Sequence, residues 1–545
     1  MSHNNSILNI LLWNANGLTH AKSLEFGHSL LNMNIDIALI SETHFQKKDK
    51  RFIQGFNIYS ALHPGTEAKA RGGAAVIIRK SIRHSLIDII EEDAFQCVVI
   101  EVVTGLGRFN LAAVYSPPRA TCTEEIYISF LKKLGPRFLV GGDFNFKHSR
   151  WAARVDNPKG IRLVKAVNSI GGNFICSGKP TFYPSDPNKD PDCIDFFIFN
   201  NIPLTDRTQC DNIERKKNHE PVLLNIFTHP VLKKKTPCLI SSKTDWEKFR
   251  ETLSAQICND TKIDTPQDLD REIELLTIQI QESAKISTPV ARNLNMRCEQ
   301  LKLPPEIVEL ICKKRRARRK MTATRFDEDK NEYNRINKLV QKRINHYRNE
   351  RFENFLSNLG AREVDDYSLW KATKFLKRPH ELSLPIKDSD GKWAKNADDK
   401  AVVLASHLEQ VFKPNKLNND EEPEDEVREI DYSDIRFLPD KKINKISHDE
   451  IFNEIKYKTK LRKAPGFDLI SGIIVKQLPA IVIKKLVTIF NAVIRLKYVP
   501  LQWKKAEIIV ILKSGKPASD PASYRPISLL PVLGKFSKNY ILKDC

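Results

Sequence analysis

Short apolar runs of strand length recur along the first 228 residues, and most of them end in polar residues. Apolar or alternating positions predict strands at 7–13, 36–40, 74–78, 97–103, 111–114, 138–140, 194–197 and 222–227. Helical spacing of apolar residues predicts helices at 123–134 and 161–170. Many short strands with few helices favour a two-sheet sandwich flanked by helices.

The pattern turns helical from residue 244 onward, with one or two long helices at 304–356 and another at 479–496. A strand is predicted at 506–512. The charged, proline-broken segment 418–426 cannot bury a core and is interpreted as a loop or linker. Three domains are therefore predicted: 1–228, a helical basic connector at 229–440 with an acidic linker near 418–429, and 441–545.

Candidate chemistry begins with Gly141-Gly142-Asp143-Phe144-Asn145, directly behind an apolar strand. Side chains two apart in an extended segment share a face, so Asp143 and Asn145 would project together. Taken alone, Asp and Asn after a strand are more typical of a turn. Other polar residues also follow or begin strand-like runs, where a sheet can orient them; they are Asn14, Glu42, Tyr115, Thr181, Asp195 and His219.

The order and wording of these motifs resemble the endonuclease/exonuclease/phosphatase family of metal-dependent phosphodiesterases. More closely, the chain is similar to the endonuclease half of a jockey-type non-LTR retrotransposon polyprotein. The motifs that carry the resemblance are Trp-Asn-Ala-Asn-Gly-Leu, Ile-Ser-Glu-Thr-His, Val-Tyr-Ser-Pro-Pro, Gly-Gly-Asp-Phe-Asn and Pro-Thr-Phe-Tyr-Pro. The resemblance implies an α+β fold, a four-layered α/β sandwich with its site along one edge of the sheets.

The resemblance also implies roles for the polar residues. Glu42 and Asn218 would be the metal residues, with Mg²⁺ as the cofactor and Mn²⁺ as the alternative. Asp143 would position and deprotonate the attacking water, with Asn14 holding it in place. Asn145 and His219 would contact the phosphate, and Asp195 would orient His219. Tyr115 would donate a hydrogen bond to the phosphate or help the leaving group. Thr181 and Trp151 would make contacts on the substrate side.

One departure from the family pattern falls on the metal residues. Lys217-Asn218-His219 stands where the family has Ser-Asp-His, so a carboxylate is replaced by a carboxamide of similar shape. We therefore expect weakened or absent nicking, because losing a carboxylate from such a site costs orders of magnitude in rate. Asn218→Asp is expected to raise plasmid nicking in Mg²⁺.

The last hundred residues resemble the opening of a non-LTR reverse transcriptase, the fingers and the start of the palm. The resemblance implies that Lys513 and Arg525 lie near the phosphates of the incoming nucleotide; surface basic residues beside a turn are the alternative interpretation. A polymerase needs paired carboxylates for two metals, and the family's Tyr/Phe-Ala-Asp-Asp turn does not occur in these 545 residues. We predict that this polypeptide cannot synthesise DNA.

The net charge of +21 favours a polyanionic partner, nucleic acid before membrane. The first 228 residues carry roughly +5 of it, and roughly fifteen basic against five acidic residues lie in 313–351. That stripe is consistent with phosphate contacts or with a solvated helix face. The ten cysteines include no Cys-x-x-Cys pair, and no signal peptide or membrane-spanning run is present. A nuclear or cytoplasmic, non-secreted protein is expected, with target DNA and element RNA as partners.

Three functions remain open from the sequence. The first is an Mg²⁺-dependent endonuclease that nicks target DNA for target-primed reverse transcription. The second is a catalytically decayed remnant that still binds nucleic acid. The third is a phosphodiesterase acting on an abasic site or a phosphoinositide, and the retrotransposon-type downstream half disfavours it.

Overall fold

The computed structural model describes residues 7–47, 49, 51–65, 71–184, 186, 188–205, 208–212, 219–233, 238–258, 261–289, 303–324, 326–357, 385–413, 445–461 and 463–537. Their contacts form two compact units. The sandwich unit comprises 1–233, 295–385 and 393–400, and the helical unit comprises 234–294, 386–392 and 401–545. The predicted division into three domains stays a prediction. The acidic linker near 418–429 lies outside the described residues.

Two six-stranded mixed sheets form the centre of the sandwich unit. The first sheet has the order β11-β12-β1-β2-β4-β3, with β1 Leu8–Asn14, β2 Ile37–Ser41, β3 Phe56–Ala61, β4 Ala74–Arg79, β11 Gln209–Asn212 and β12 Val222–Ile226. The second has the order β5-β6-β7-β8-β10-β9, with β5 His84–Glu91, β6 Gln96–Thr104, β7 Gly107–Tyr115, β8 Phe138–Asp143, β9 Asn173–Ile175 and β10 Asp195–Asn200.

Alternate residues of the central strands face different cores, as period-two patterning requires. In β1, Leu8 and Ile10 are buried in the core between the two sheets. Leu11 and Trp13 lie on the other face, in a core shared with the first helix. Each fully buried side chain of this size contributes about 1.5–3 kcal/mol, so both faces hold β1 in place.

Helices cover the outer faces of both sheets, which gives the four layers. Helix α1 (His20–Asn32) covers the first sheet, and α2 (Glu124–Lys133) and α3 (Pro158–Ser169) cover the second. Helix α3 begins three residues earlier than predicted because the Asn157 side chain accepts from Gly160 N and proline occupies the first turn. The predicted four-layered α/β sandwich is confirmed.

The helical unit contains α4 Trp246–Gln256, α5 Pro266–Ile286, α9 His448–Asn453, α10 Gly472–Val475, α11 Ala480–Leu496, α12 Leu501–Lys504, and a hairpin of β15 Glu507–Leu512 and β16 Tyr524–Leu529. Further elements lie between these helices along the chain: α6 Pro305–Thr324, α7 Asp327–Ser357, β13 Ile386–Lys387, β14 Trp393–Ala394 and α8 Ala397–Val411. The long helical pattern at 304–356 thus becomes two helices, α6 and α7, in the sandwich unit. No helix in the described ranges is long and apolar enough to cross a bilayer.

Candidate active site

Five strand ends from both sheets meet at one edge of the sandwich. In the first sheet, parallel pairing places Asn14 at the end of β1 beside Ser41 at the end of β2. In the second sheet, Asp143 ends β8 and pairs with Tyr115 on one side and Asp195 on the other. The register alone therefore brings these polar side chains to a common edge, as the strand-end pattern predicted.

The two glycines before Asp143 allow β8 to approach its neighbours closely. A Cβ on Gly142 would lie 1.9 Å from the carbonyl oxygen of Val114, and one on Gly141 would lie 2.6 Å from the Phe197 ring. Neither neighbour can give way by that much, since one is backbone and the other is buried between the sheets. Glycine here sets the position of Asp143.

Hydrogen bonds from three directions hold the Asp143 residue, whose side chain is buried. Asn14 Nδ2 donates to Asp143 Oδ2 over 2.7 Å, and the backbone amide of Asn145 donates to Oδ1 over 2.9 Å. The Asp143 amide donates to Ser41 Oγ over 3.0 Å, and that hydroxyl donates to the carbonyl of Val114 over 2.8 Å. Ser41 was not among the predicted site residues, because one buried serine in an apolar strand carries no sequence signal.

Asp195 and His219 form a buried pair beside Asp143. His219 Nδ1 donates to Asp195 Oδ2 over 2.9 Å, and His219 Nε2 lies 4.0 Å from Asp143 Oδ2. Thr181 Oγ1 accepts from the amides of Ile194 and Asp195, at 3.1 Å each. Next to Thr181, Phe182 makes isolated bridges with Asp192 and His219.

Glu42 lies at the open side of the cluster and is only partly buried. His44 Nε2 lies 3.7 Å from Glu42 Oε2, and Asn14 and Tyr115 are the other polar neighbours of this carboxylate. Glu42, His44 and Asn145 all have left-handed backbones, with φ of 50°, 53° and 55°. Such non-glycine conformations cost about 1–3 kcal/mol each and concentrate at functional sites.

Charges within the cluster shift the pKa values of Asp143, His219, Glu42 and Tyr115. Burial and then the charge of Asp195 raise the pKa of Asp143. Burial opposes the His219 imidazolium, but the charge and hydrogen bond of Asp195 dominate and raise the pKa of His219 to about 9. Burial also opposes ionised Glu42, yet hydrogen bonds from His44 and Asn14 keep the pKa of Glu42 below its ordinary value. Burial, then the charges of Glu42 and Asp143, raise the pKa of Tyr115, which stays a phenol donor at neutral pH.

The sequence profile of the Endonuclease/Exonuclease/phosphatase family matches residues 11–215, which contain all of this site except His219. The sandwich belongs to that family. Relatives extend the similarity to the rest of the chain. It is 32% identical over 536 residues to the probable RNA-directed DNA polymerase from transposon BS and, over 536 residues, to the RNA-directed DNA polymerase from mobile element jockey, both of Drosophila melanogaster.

Each alignment covers 98% of this chain and 58% of the relative, so the chain spans a little over half the length of these proteins. The chain is therefore homologous to jockey-type RNA-directed DNA polymerases over nearly its whole length. Among solved structures, the endonuclease domain of TRAS1, a telomere-specific non-LTR retrotransposon, is 20% identical with a TM-score of 0.33, covering 40% of this chain and 98% of that one.

The endonuclease/exonuclease/phosphatase domain has donors suited to a metal ion. Ligand atoms of Asp143, Asp195 and His219 all lie within 4.8 Å of one another. Asp195 Oδ1 is buried and has no hydrogen-bond partner among the described residues, so an oxygen lone pair is left for a cation. Carboxylate oxygens in a group with surplus negative charge are what a hard divalent ion requires. The residues present thus fit a metal ion.

Two predicted substrate contacts are corrected by burial. Trp151 has 0% exposure and stacks on Phe196 with ring centroids 4.3 Å apart. Thr181 also has 0% exposure, and its hydroxyl is used by the backbone of β10. In this domain Trp151 therefore packs the core, and Thr181 positions Asp195. The burial of an aromatic residue or a threonine depends on the tertiary fold and could not be read from the motif.

The remaining predicted residues lie in several places. Asn145 is partly buried, and its Nδ2 donates to the carbonyl of Ser116 over 3.0 Å. Asn218 lies outside the described residues. Lys513 and Arg525 belong to the helical unit, where Lys513 Nζ donates to the carbonyl of Ala522 over 2.8 Å and Arg525 is exposed on β16.

Proposed function

We propose that the sandwich unit is a metal-dependent endonuclease that nicks duplex DNA, so that a polymerase can prime from the break. The observation that carries this proposal is the convergence of Asp143, the Asp195–His219 pair and Glu42 at one edge. Phosphodiester hydrolysis needs an acceptor for the proton of water and positive charge at the phosphate. This cluster contains both.

Asp143 is proposed to orient the attacking water and take its proton. The raised pKa of Asp143 brings the carboxylate closer to the operating pH than an ordinary aspartate. Asn14 holds Oδ2 at 2.7 Å, which keeps the carboxylate from rotating away from the water. Because the Asp143 backbone is also fixed by Ser41, the proton acceptor is placed by both sheets.

His219 is proposed to hold a non-bridging phosphate oxygen with Asn145. The raised pKa of about 9 keeps the His219 imidazole protonated at neutral pH, so it offers charge as well as a hydrogen bond. Asp195 fixes the ring by accepting from Nδ1, which leaves Nε2 facing the cluster. Tyr115, whose pKa is raised by burial and by the charges of Glu42 and Asp143, keeps its proton at neutral pH and would be available as a donor to the phosphate or the leaving group.

We assign the metal as Mg²⁺, with Glu42, Asp143 and Asp195 as the carboxylates able to hold it, and Asn218 as a further candidate ligand. A divalent ion at this position would stabilise charge that develops on the phosphate and the leaving oxygen. Mn²⁺ has similar ligand preferences and is the alternative.

Loss of activity through decay is the second candidate. It is favoured by one sequence observation, the Asn218 carboxamide where the family has a carboxylate. The unfilled hydrogen-bonding position of Asp195 Oδ1 and the intact Asp195–His219 pair favour the active enzyme instead. For the C-terminal half, Lys513 and Arg525 remain proposed contacts to nucleotide phosphates, and element RNA remains a proposed partner.

Supercoiled-plasmid nicking by the full chain in Mg²⁺ tests the proposal. The wild-type chain should convert supercoiled to open-circular DNA, and Glu42→Ala and His219→Ala should each reduce the rate by at least about 100-fold. EDTA should abolish nicking by the wild-type chain. Lys159→Ala, on helix α3, removes a charge outside the cluster and serves as the control.

A wild-type rate equal to that of His219→Ala would contradict the endonuclease and support the decayed remnant. Asn218→Asp decides whether decay lies at that position. A clear rise in nicking is expected from this variant, and no rise would remove Asn218 from the site.

A further inference from the structure

The basic helices α6 and α7 are attached to the sandwich through helix α1. Their shared core contains Ile307 and Ile311 of α6 and Val340 and Ile344 of α7, and Leu24 of α1 packs against it. A helix pair with its own buried core, seated on a second element, moves with that element rather than as a loose arm.

Polar contacts reinforce the attachment to α1. Lys314 Nζ forms an ion pair with Glu25 Oε2, and both side chains are largely buried. One turn further along α1, Arg315 donates to Ser29 Oγ over 3.3 Å. The basic helices are therefore fixed in register along α1.

The charge of this helix pair is unevenly balanced. Near the α6–α7 turn, acids neutralise the cations: Lys320–Asp329 at 2.8 Å, Lys330–Asp327 at 3.7 Å and Arg335–Glu332 at 2.7 Å.

In the second half of α7, the cations are not paired with acids as they are near the α6–α7 turn. Within the described ranges, no carboxylate forms an ion pair with the exposed side chains of Lys338, Lys342, Arg343 and Arg348. At about 100° per residue these four are spread over the middle and both flanks of the exposed side of α7, and we call this group the cationic face. A merely solvated helix surface would not need this separation of paired and unpaired charge.

The unpaired end of α7 lies toward the active-site end of α1. Helix α7 is in direct contact with α1, and burial together with the positive charges of Arg51 and Arg348 lowers the pKa of His20, the first residue of α1. The loop immediately before His20 belongs to the site, since Gly17 N donates to the carbonyl of Glu42 over 2.8 Å. The helix pair is thus held against α1, whose first residue follows directly on a loop of the site.

We propose that the cationic face binds the phosphate backbone of the duplex DNA beside the bond that is cut. The eleven residues from Lys338 to Arg348 span about 15 Å of helix, a length along which duplex DNA presents several phosphates. The face is carried on the same unit as the nicking site, and for this reason the occupant is assigned as target DNA rather than RNA. The assignment to the cut duplex rests on the proposed function; the DNA contact itself does not.

The test compares two variants of the full chain with equal charge loss. The first replaces the cationic face with glutamine: Lys338→Gln, Lys342→Gln, Arg343→Gln and Arg348→Gln. The matched control replaces four paired cations: Lys313→Gln, Lys320→Gln, Lys330→Gln and Arg335→Gln. Glutamine has a helix propensity close to that of lysine and arginine, and thermal melting checks that both variants fold.

Affinity for a 30-base-pair duplex is measured in EDTA between about 50 and 200 mM salt, so that no cutting interferes. The cationic-face variant should lose at least tenfold in affinity, and its log–log salt slope should fall by about 3 to 4 relative to wild type, while the control should change by less than about threefold. Equal losses in the two variants would show only a net-charge effect and would overturn the proposal.

A larger loss for a duplex or single-stranded RNA of the same length than for the DNA would also overturn it, because the face would then serve RNA. Failure of the proposed function is read separately. In that case wild-type chain would not nick plasmid in Mg²⁺, while the difference in DNA affinity between the two variants would persist.

Discussion

A single residue, Ser41, connects the two sheets of the sandwich. Its hydroxyl donates to the carbonyl of Val114 and accepts from the amide of Asp143, at 2.8 and 3.0 Å, with no exposed surface. The proposed proton acceptor, Asp143, therefore depends on a hydroxyl that touches neither the substrate nor a metal ligand atom. Ser41 is a positioning residue.

Ser41→Ala should lower both stability and nicking rate. Two buried backbone groups would lose their partner, which costs about 1–3 kcal/mol of unfolding free energy, and Asp143 would shift. The measurements are urea unfolding and the nicking rate at saturating DNA. Ser116→Ala is the control, because its buried hydroxyl donates to the carbonyl of Ala94. The bond from the Ser116 backbone amide to the Asp143 carbonyl, 3.0 Å, does not involve that hydroxyl and is retained in the variant. Equal loss of nicking in both variants would contradict the positioning role.

His84 is a buried residue that should make stability depend on pH. Its Nδ1 donates to the carbonyl of Ile82 over 2.8 Å, and Nε2 lies 3.0 Å from the Tyr59 hydroxyl, an arrangement that suits the neutral ring. Burial, and then the charge of Lys233, lower the pKa of His84 to about 4. In the unfolded chain the ring takes up a proton near pH 6.5.

Because the unfolded state binds this proton first, stability should fall as the pH drops from 6.5 and level off below about 4, a loss of roughly 3 kcal/mol. Chemical unfolding of wild type and His84→Gln at pH 7.5, 6, 5 and 4 measures the effect. The variant should show a smaller decline over this range than wild type. Parallel declines would show that His84 does not stay neutral in the folded protein.

One contact between two helices of the helical unit depends on a buried ion pair. Helices α5 and α11 of the helical unit are joined by Glu272 and Lys485, whose charged atoms lie 2.7 Å apart and are nearly buried. Lys485 also donates to the carbonyl of Cys258 over 2.9 Å. The amphipathic pattern of α11 predicted the helix, and the pattern could not show that one lysine faces inward.

Lys485→Met should destabilise the helical unit by about 3–5 kcal/mol, because Glu272 would be left buried without its partner. The double change Lys485→Met with Glu272→Leu should recover most of that loss, since no charge remains in the core. Thermal or urea unfolding measures both, and Lys484→Met, on the exposed side of α11, is the control. A double variant no more stable than the single one would contradict this account.

The whole molecule is organised by contacts that cross long stretches of sequence. The core of the helical unit combines Phe249 and Leu253 of α4 and Ile273 of α5 with Ile489 and Phe490 of α11. Residues before 290 and after 445 thus share one hydrophobic core. Each such side chain contributes about 1.5–3 kcal/mol when buried, so removing one half exposes a large apolar face.

The segment 441–545, predicted from the sequence as a domain, should not fold when expressed alone. It should bind the dye ANS and melt without a cooperative transition, since α4 and α5 would be missing from its core. Co-expression with residues 234–294 should restore a cooperative melt by circular dichroism. A sharp melting transition for 441–545 by itself would contradict this prediction.

The sequence alone predicted eight of the twelve strands of the two sheets, helices α2 and α3, and the residue types at the edge of the sandwich. Strands β3, β5, β9 and β11 and helix α1 were not predicted. Period-two alternation and strand-end polar residues are local properties, and register then carries Asp143 opposite Tyr115 and Asp195. The family resemblance predicted the four-layered architecture without any information on tertiary contacts.

Which of these side chains face the site depends on tertiary packing and could not be predicted from the sequence. Trp151 and Thr181 are buried, Ser41 joins the sheets at Asp143, and α6 and α7 pack on α1. Burial, bridging hydrogen bonds and helix docking depend on residues distant in sequence. A local pattern carries no information about those partners, because they become neighbours only when the chain folds.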